Sequence, residues 1–281
     1  MQGQILTNEI TEYFKKHLQD EEKSENTINK YMRDIRAFMA FTDYKEICKN
    51  TVIAYKNKLI RDNYAVRSIN SMLASLNSLF AFLGWTDFNV KSIKFQRQIY
   101  RCEEKQLTKA EYARLVYSAK QKGNKRLNLI LQTICGTGIR VSELQYITVE
   151  AAKSGKAVVS LKGKVRSIFI VKELKRKLLC YATEKGIQSG CIFITRTGKP
   201  ISRTNIWREM KNLCEIAGVN PQKVFPHNLR HLFARTFYGI EKDIAKLSDI
   251  LGHSSINTTR IYIISTGDEH RRQMENMRLI I

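Results

Sequence analysis

Apolar residues recur every three or four positions in two stretches of the first 85 residues, the period of an α-helix with one buried face. The stretches are SENTINKYMRDIRAFMAFT and VRSINSMLASLNSLFAFLGW. In the second, Arg67, Asn70 and Asn77 lie off the apolar stripe, so their face either is solvated or meets a partner. We predict a helical amino-terminal domain over residues 1–88. Its apolar stripes are Ile28, Met32, Ile35, Phe38 and Met39, then Ile69, Met72, Leu73, Leu76, Leu79 and Phe80.

The periodicity weakens after Phe88 into the basic, irregular segment FNVKSIKFQRQIYRCEEK. Residues 89–105 are therefore interpreted as a linker between two domains. A new helix is predicted to follow in LTKAEYARLV, because Thr108 and Glu111 have the spacing of a capping box.

The second domain, residues 106–281, combines helical periodicity with one short sheet. In RLNLILQTICGTGIRVSEL an apolar helix stops at a Gly-Thr-Gly turn, and Arg140 stands where the next helix starts. Residues 158–161 and 167–171 alternate as strands, and 162–164 form the turn of a β-hairpin with lysines at its tip. From about residue 201 the pattern is helical again. The predicted fold is mainly α, with a small antiparallel β-sheet in the second domain.

The charge indicates the class of partner. The chain has 48 Lys and Arg against 26 Asp and Glu, a net charge of +22. Residues 1–100 contain 15 basic and 11 acidic side chains, and residues 101–281 contain 33 and 15, so most of the excess lies in the second domain. Such a surface favours a polyanion, and nucleic acid is the leading candidate. No apolar run is long enough for a membrane span and no signal peptide is evident. The six cysteines lack CxxC spacing and indicate a reducing, cytoplasmic setting.

Three segments of the second domain, GTGIRVSEL, FPHNLRHLFA and LGHSSINTTRIY, resemble the signature boxes of the tyrosine recombinases, also called the phage integrase family. The segment ENTINKYMRDIRAFMAF is also similar to the helical core-binding domain of that family. The resemblance covers nearly the whole chain. It implies a core-type DNA-binding domain followed by a catalytic domain that cleaves and rejoins DNA.

The resemblance implies a catalytic set whose chemistry suits phosphodiester cleavage. A tyrosine hydroxyl is a weak nucleophile at neutral pH, so charge that develops on the phosphoryl oxygens must be neutralised. Guanidinium groups stay charged and match these oxygens with a planar fork, a role assigned to Arg140 and Arg230. Tyr262 is expected to attack the phosphorus and leave a 3′-phosphotyrosine. The other expected members are Lys162 as general acid for the 5′-oxygen, His227 as acid/base partner and His253 as a hydrogen-bond donor to the phosphate.

Several assignments stay open at this stage. Lys164 is an alternative general acid, because the hairpin turn is shorter than the family usually has. Glu143 matches an acidic position that supports the arginine, although an acid at a helix start is also favourable by itself. His227 and His231 have i, i+4 spacing, but HNLRH lacks the glutamate of a zinc HExxH motif. No metal and no cofactor are predicted, since a phosphotyrosine keeps the energy of the ester bond for rejoining.

The expected partner is double-stranded DNA that carries recombination sites. Arg67, Asn70, Lys199 and Arg203 are candidate DNA contacts, and a homotetramer is expected on synapsed DNA, with a monomer or weak oligomer when free. The tail has Met274, Met277, Ile280 and Ile281 at helical spacing and packs either in cis or on a neighbouring protomer. The resemblance favours a cytoplasmic, nucleoid-associated enzyme, Xer-like or from a mobile element. Rival functions are relaxation of DNA by a type IB topoisomerase and DNA binding without catalysis.

Overall fold

A computed structural model of the chain describes residues 4–94, 106–161, 164–263 and 274–277. The chain divides into two units, residues 1–97 and residues 98–281. The domain boundaries predicted from the sequence place a linker over residues 89–105. Part of this linker lies outside the described residues, so these boundaries stay a prediction.

The amino-terminal unit is a helical bundle around an apolar core. Ser24 caps the second helix by accepting a hydrogen bond from the Thr27 backbone N–H, at 3.4 Å. The stripe residues predicted for the second and fourth helices are buried, apart from the partly buried Met72, so both amphipathic helices are confirmed. The helices are α1 (Asn8–Asp20), α2 (Glu25–Thr42), α3 (Lys49–Arg61) and α4 (Val66–Phe82), followed by a 3-10 turn, Thr86–Phe88.

Two asparagines of α4 bind the extended chain that follows the 3-10 turn. Asn70 donates from Nδ2 to the carbonyl of Ile93 at 2.9 Å and accepts from the Ile93 N–H at 2.7 Å. Asn77 makes the same pair of bonds with Val90, at 3.0 and 3.2 Å. The polar face of α4 is therefore used, at least in part, to hold residues 90–93 of its own unit.

The carboxy-terminal unit is also mostly helical. Thr108 and Glu111 form the predicted capping box, with reciprocal bonds of 3.1 and 2.8 Å, so the helix start is confirmed. The described helices are α5 (Lys109–Gln121), α6 (Lys125–Thr137), α7 (Val149–Ser154), α8 (Lys172–Glu184), α9 (Arg203–Lys211), α10 (Cys214–Ala217), α11 (Pro226–Glu241), α12 (Ile244–Leu251) and α13 (Ile256–Ile263), with 3-10 helices at Val141–Tyr146 and Pro221–Lys223.

The predicted hairpin is confirmed as two antiparallel strands, β1 (Lys156–Leu161) and β2 (Lys164–Phe169). The second strand was predicted to continue to residue 171 and instead ends at Phe169, because Val171 already caps α8. The ladder reaches further than the sequence indicated, because Leu161 pairs with Lys164 and Lys164 belongs to the strand rather than the turn. Ala157 and Ile168 pair on the buried face of the sheet.

The mainly helical fold with a small antiparallel sheet is thus confirmed. Within the described ranges, no helix is long and apolar enough to cross a membrane.

Candidate active site

The first arginine of the site stands just after a sharp turn. α6 ends at Thr137, and Gly138 follows in the left-handed region at φ +65°. A Cβ atom at this glycine would lie 2.5 Å from the ring of Phe233, so the positive φ favours glycine and the lack of space requires it. Arg140 then caps the 3-10 helix Val141–Tyr146. The constrained turn therefore fixes the position of the Arg140 backbone beside the site.

The second arginine is almost fully enclosed. Arg230 lies on α11 with 1% of its surface exposed. Its Nη1 donates to the carbonyl of Gly138 at 2.6 Å, and its Nη2 donates to the carbonyl of Leu251 at 2.7 Å. Burial and the neighbouring positive charge of Arg140 lower the pKa of Arg230 to about 10. This group remains charged at neutral pH and cannot turn away from the site without losing these bonds.

His253 is a hydrogen-bonding partner of this arginine. Its Nε2 lies 3.0 Å from Arg230 Nη2, and its Nδ1 lies 2.8 Å from Thr259 Oγ1. A guanidinium can only donate, so Nε2 accepts and the neutral ring donates from Nδ1 to the threonine. Burial and the charges of Arg230 and Arg140 lower the pKa of His253 to about 4. The imidazole is therefore neutral at pH 7 with a defined tautomer.

Tyr262 lies on α13 among aromatic and cationic groups. It is only 6% exposed. Its ring centroid lies 4.1 Å from that of His231 in a stacked arrangement, 5.1 Å from His253 and 5.4 Å from His227. The guanidinium carbon of Arg230 lies 5.9 Å from the same centroid. The tyrosine predicted as nucleophile is therefore adjacent to both histidines and one arginine of the predicted set.

An open cleft of about 430 Å³ lies beside the two arginines of the site. Arg140, His227 and Arg230 line it, and so do Arg203 and Trp207 of α9. Trp207 is 48% exposed although it is a large aromatic residue. Two guanidinium groups beside a cleft of this size provide the donors that an anionic phosphoryl group requires.

The structure thus brings five of the six predicted catalytic residues together: Arg140, His227, Arg230, His253 and Tyr262. Lys162 lies outside the described residues, and the Lys164 side chain is likewise not described. Among the described residues, no group of three His, Cys, Asp or Glu side chains is arranged to hold a metal ion.

The candidate DNA contacts lie in different places. Arg203 starts α9 at the cleft, and Lys199 is exposed in the loop between residues 194 and 200. Arg67 lines a separate cleft in the amino-terminal unit, with Lys30 and Arg33. Asn70 has its amide engaged with Ile93, as described above, and a DNA contact by it would compete with those bonds. These four DNA contacts stay predictions.

Three residues at or beside the site were not predicted from the sequence. Arg166 of β2 contacts Glu143, Thr259 contacts His253, and Trp207 lines the cleft. For Arg166 a signal existed, because it stands two residues before the buried Ile168 and so on the inward face of a strand. An arginine at an inward strand position is unusual enough to be noticed. Thr259 and Trp207 had no comparable signal.

Arg140, Arg230 and His227 line the cleft, and Tyr262 and His253 pack against Arg230. In a basic, mainly helical chain, such a set suits an enzyme that breaks phosphodiester bonds through a tyrosine. Comparison with known proteins agrees. The model of the phage integrase family matches residues 105–268, and that of the phage integrase N-terminal SAM-like domain matches residues 10–87. The chain therefore belongs to the phage integrase family, the tyrosine-type site-specific DNA recombinases.

Similar proteins span the whole chain. Tyrosine recombinase XerA of Pyrococcus furiosus is 30% identical, covering 100% of this chain and 98% of its own length. Tyrosine recombinase XerC of Pediococcus pentosaceus is 29% identical, over 90% of this chain and 92% of its own. A lambda integrase dimer bound to a COC′ core site has the same fold, with a TM-score of 0.74, 18% identity, and coverage of 92% and 95% of the two chains.

Proposed function

We propose that this chain cuts and rejoins DNA at specific sites through a covalent bond between Tyr262 and a 3′-phosphate. The observation that carries the proposal is the position of Tyr262, which is packed against His227 and His253 with Arg230 above its ring. A core aromatic has no need of such neighbours. The wider family membership supports the same activity.

This chemistry first requires that the negative charge of the scissile phosphate be neutralised. Arg140 and Arg230 reach the cleft from two different elements, the 3-10 helix start and α11. A phosphodiester between them gains two fixed cations, whose effect grows as negative charge develops on the oxygens during attack. Because Arg230 is held by backbone carbonyls, this stabilisation requires no rearrangement of its side chain.

The covalent step then follows. The Tyr262 oxygen forms a bond to phosphorus, the bond from phosphorus to the 5′-oxygen breaks, and His227 takes the tyrosine proton. The leaving 5′-oxygen takes a proton from a hairpin lysine, Lys162 or, alternatively, Lys164. Reversal with a different 5′-hydroxyl rejoins the strand, so the cycle needs no cofactor.

The hydrogen bonding of His253 changes when a phosphodiester binds. In the structure its Nε2 accepts from Arg230, so it has no proton to give to a phosphate. Burial and the charges of Arg230 and Arg140 lower the His253 pKa; a bound phosphodiester offsets the arginine charges and accepts a hydrogen bond from a protonated Nε2, so it favours protonation there. His253 then donates to the phosphate, while Thr259 keeps the ring in place through Nδ1.

Substituting a sulfur leaving group identifies the general acid. A 5′-thiolate departs without a proton, so a variant that lacks the acid should recover cleavage on a sulfur substrate and stay slow on the oxygen substrate. We expect this recovery for Lys162→Ala and not for Lys164→Ala. Recovery confined to Lys164→Ala assigns the role to Lys164.

The partner is double-stranded DNA with recombination sites, and the assembled form is a homotetramer on synapsed DNA. A lambda integrase tetramer bound to a Holliday junction has the same fold, with a TM-score of 0.74, and supports this assembly. Arg67, Asn70, Lys199 and Arg203 are the candidate DNA contacts, and the tail after Tyr262 joins neighbouring protomers. The chain acts in the cytoplasm, at the nucleoid.

A nicked suicide oligonucleotide that carries the target site tests the proposal. Cleavage releases a short 5′-hydroxyl fragment, so the reaction cannot reverse and the adduct survives a denaturing gel. We expect an adduct with the wild-type chain. If the chain binds the DNA but forms no adduct, it is a DNA-binding module without catalytic activity. A second assay with two duplexes separates the recombinase from a topoisomerase, since only the recombinase exchanges strands between them.

A further inference from the structure

Arg166 occupies an unusual position for a charged strand residue. It pairs with Val159 in the hairpin, and its side chain is 11% exposed. Its Nη1 donates to the carbonyl of Ile250 at 2.6 Å, and its Nη2 forms an ion pair with Glu143. Arg166 is therefore fixed at both ends of its guanidinium, once to the end of α12 and once to the 3-10 helix that Arg140 caps.

Glu143 carries the connection to the catalytic arginine. This carboxylate is 1% exposed and accepts from the Arg140 N–H at 2.8 Å and from Arg140 Nη1 at 2.9 Å, besides Arg166. Burial opposes its ionisation, but the Arg140 N–H and the charges of Arg166 and Arg140 outweigh burial, and the pKa of Glu143 lies below its ordinary value. A buried carboxylate thus bridges a cleft arginine and a strand arginine.

The end of α12 fixes all three arginines. The carbonyl of Ile250 accepts from Arg166, that of Leu251 from Arg230, and that of Gly252 from Arg140 at 3.3 Å. A helix carboxyl terminus carries partial negative charge, which offsets the repulsion among three close guanidinium groups.

Gly252 lies in close contact with the Arg166 side chain. Its φ of +63° favours glycine, and a Cβ atom here would overlap the Arg166 side chain where it now lies. Arg166 therefore packs directly against the turn that leads to His253.

We propose that Arg166 is a positioning residue for DNA cleavage, which holds Glu143 and through it Arg140 in the geometry that the scissile phosphate requires. Arg166 does not line the cleft and acts through its neighbours. It also ties β2, which starts at Lys164, to the end of α12, so the hairpin with the candidate general acids is anchored to the same helix end that binds Arg230 and Arg140. The inference rests on the proposed function.

The test compares Arg166→Met with wild type in single-turnover adduct formation on the suicide oligonucleotide, with DNA affinity measured separately. We expect a rate about 100-fold lower, because displacement of a catalytic group by about 1 Å has an effect of that size. The dissociation constant should change less than about threefold, since Arg166 does not line the cleft. Arg176→Met on α8, which removes an exposed arginine paired with Glu173, is the matched control and should cleave like wild type.

A second substrate separates positioning from a general loss of structure. A methylphosphonate at the scissile position is neutral and depends less on the arginine pair, so the deficit of Arg166→Met should shrink to about tenfold or less. Arg166→Lys keeps the charge but not the fork, and should regain part of the rate. In a double-mutant cycle, Arg166→Met combined with Glu143→Gln should be no slower than the slower single variant, because both act through one contact.

Two results would overturn the inference, and a third would overturn the proposed function on which it rests. Cleavage by Arg166→Met within threefold of the wild-type rate refutes the inference. An equal loss on both substrates, or additive losses in the cycle, assigns Arg166 a purely structural role. A wild-type chain that forms no adduct at all, on either substrate, refutes the proposed function itself and is thereby distinguished from the first two.

Discussion

Replacement of Arg230 by lysine tests how much of the reaction depends on a fixed guanidinium. Arg230 bonds two carbonyls, of Gly138 and Leu251, through different nitrogens, at 2.6 and 2.7 Å. A lysine ammonium is a single point and cannot occupy both positions. One buried carbonyl is left without its donor, which costs about 1 to 3 kcal/mol of folding stability.

The effect on cleavage should be larger than the effect on stability. A lysine keeps the positive charge but loses the planar fork that meets two phosphoryl oxygens. Loss of a transition-state donor of this kind costs about 3 to 4 kcal/mol, a factor of roughly 100 to 1,000 in rate. The binding constant should change much less, since the ground-state phosphate still meets a cation.

The assay is the single-turnover rate of adduct formation by Arg230→Lys at a temperature where chemical denaturation shows the variant folded. Arg203→Lys is the control, because Arg203 lines the same cleft on α9 and is expected to lose less than about tenfold. If folded Arg230→Lys cleaves within tenfold of wild type, the guanidinium fork is not what stabilises the transition state.

Three further predictions concern titration, folding and assembly. The pKa of His253 is lowered to about 4 from its usual 6.5, so the folded chain binds fewer protons than the unfolded one between these values. The free energy of unfolding should fall by roughly 3 kcal/mol as pH drops through this window, which denaturant titrations at several pH values would show. His253→Gln should make this pH dependence smaller. Gly138→Ala should destabilise more than Gly190→Ala, since both glycines have positive φ but only Gly138 faces a ring, that of Phe233, at 2.5 Å; equal losses would contradict this. Deleting residues 270–281 should preserve single-site binding and weaken tetramers on native gels, whereas lost binding by the monomer indicates a tail packed in cis.

Periodicity predicted the elements that bury apolar faces. The stripes of α2 and α4 and the capping box at Thr108 involve residues close in sequence, whose spacing is set by the helix itself. The hairpin was also predicted, but its ladder is longer, because backbone pairing continues through Lys164 regardless of which side chain stands there.

Contacts between distant segments could not be predicted in the same way. The sequence predicts a DNA contact by Asn70, yet its amide bonds Ile93, which lies 23 residues further along the chain. The bonds from Arg166 to Glu143 and Ile250 join residues separated by 23 and 84 positions. The packing of the hairpin against α12 and against the 3-10 helix Val141–Tyr146 brings them together. The motif residues of the cleft could be named from their resemblance to a family, whereas the groups that hold them required the structure.

The most direct test of the proposed reaction is to find the residue to which the DNA becomes covalently attached. The suicide-substrate adduct would be digested with protease and nuclease, and the modified peptide sequenced by mass spectrometry. We predict a nucleotide 3′-phosphate on Tyr262 alone, and no adduct with Tyr262→Phe although that variant binds DNA as tightly as wild type. An adduct on another residue, or one that persists in Tyr262→Phe, would contradict it.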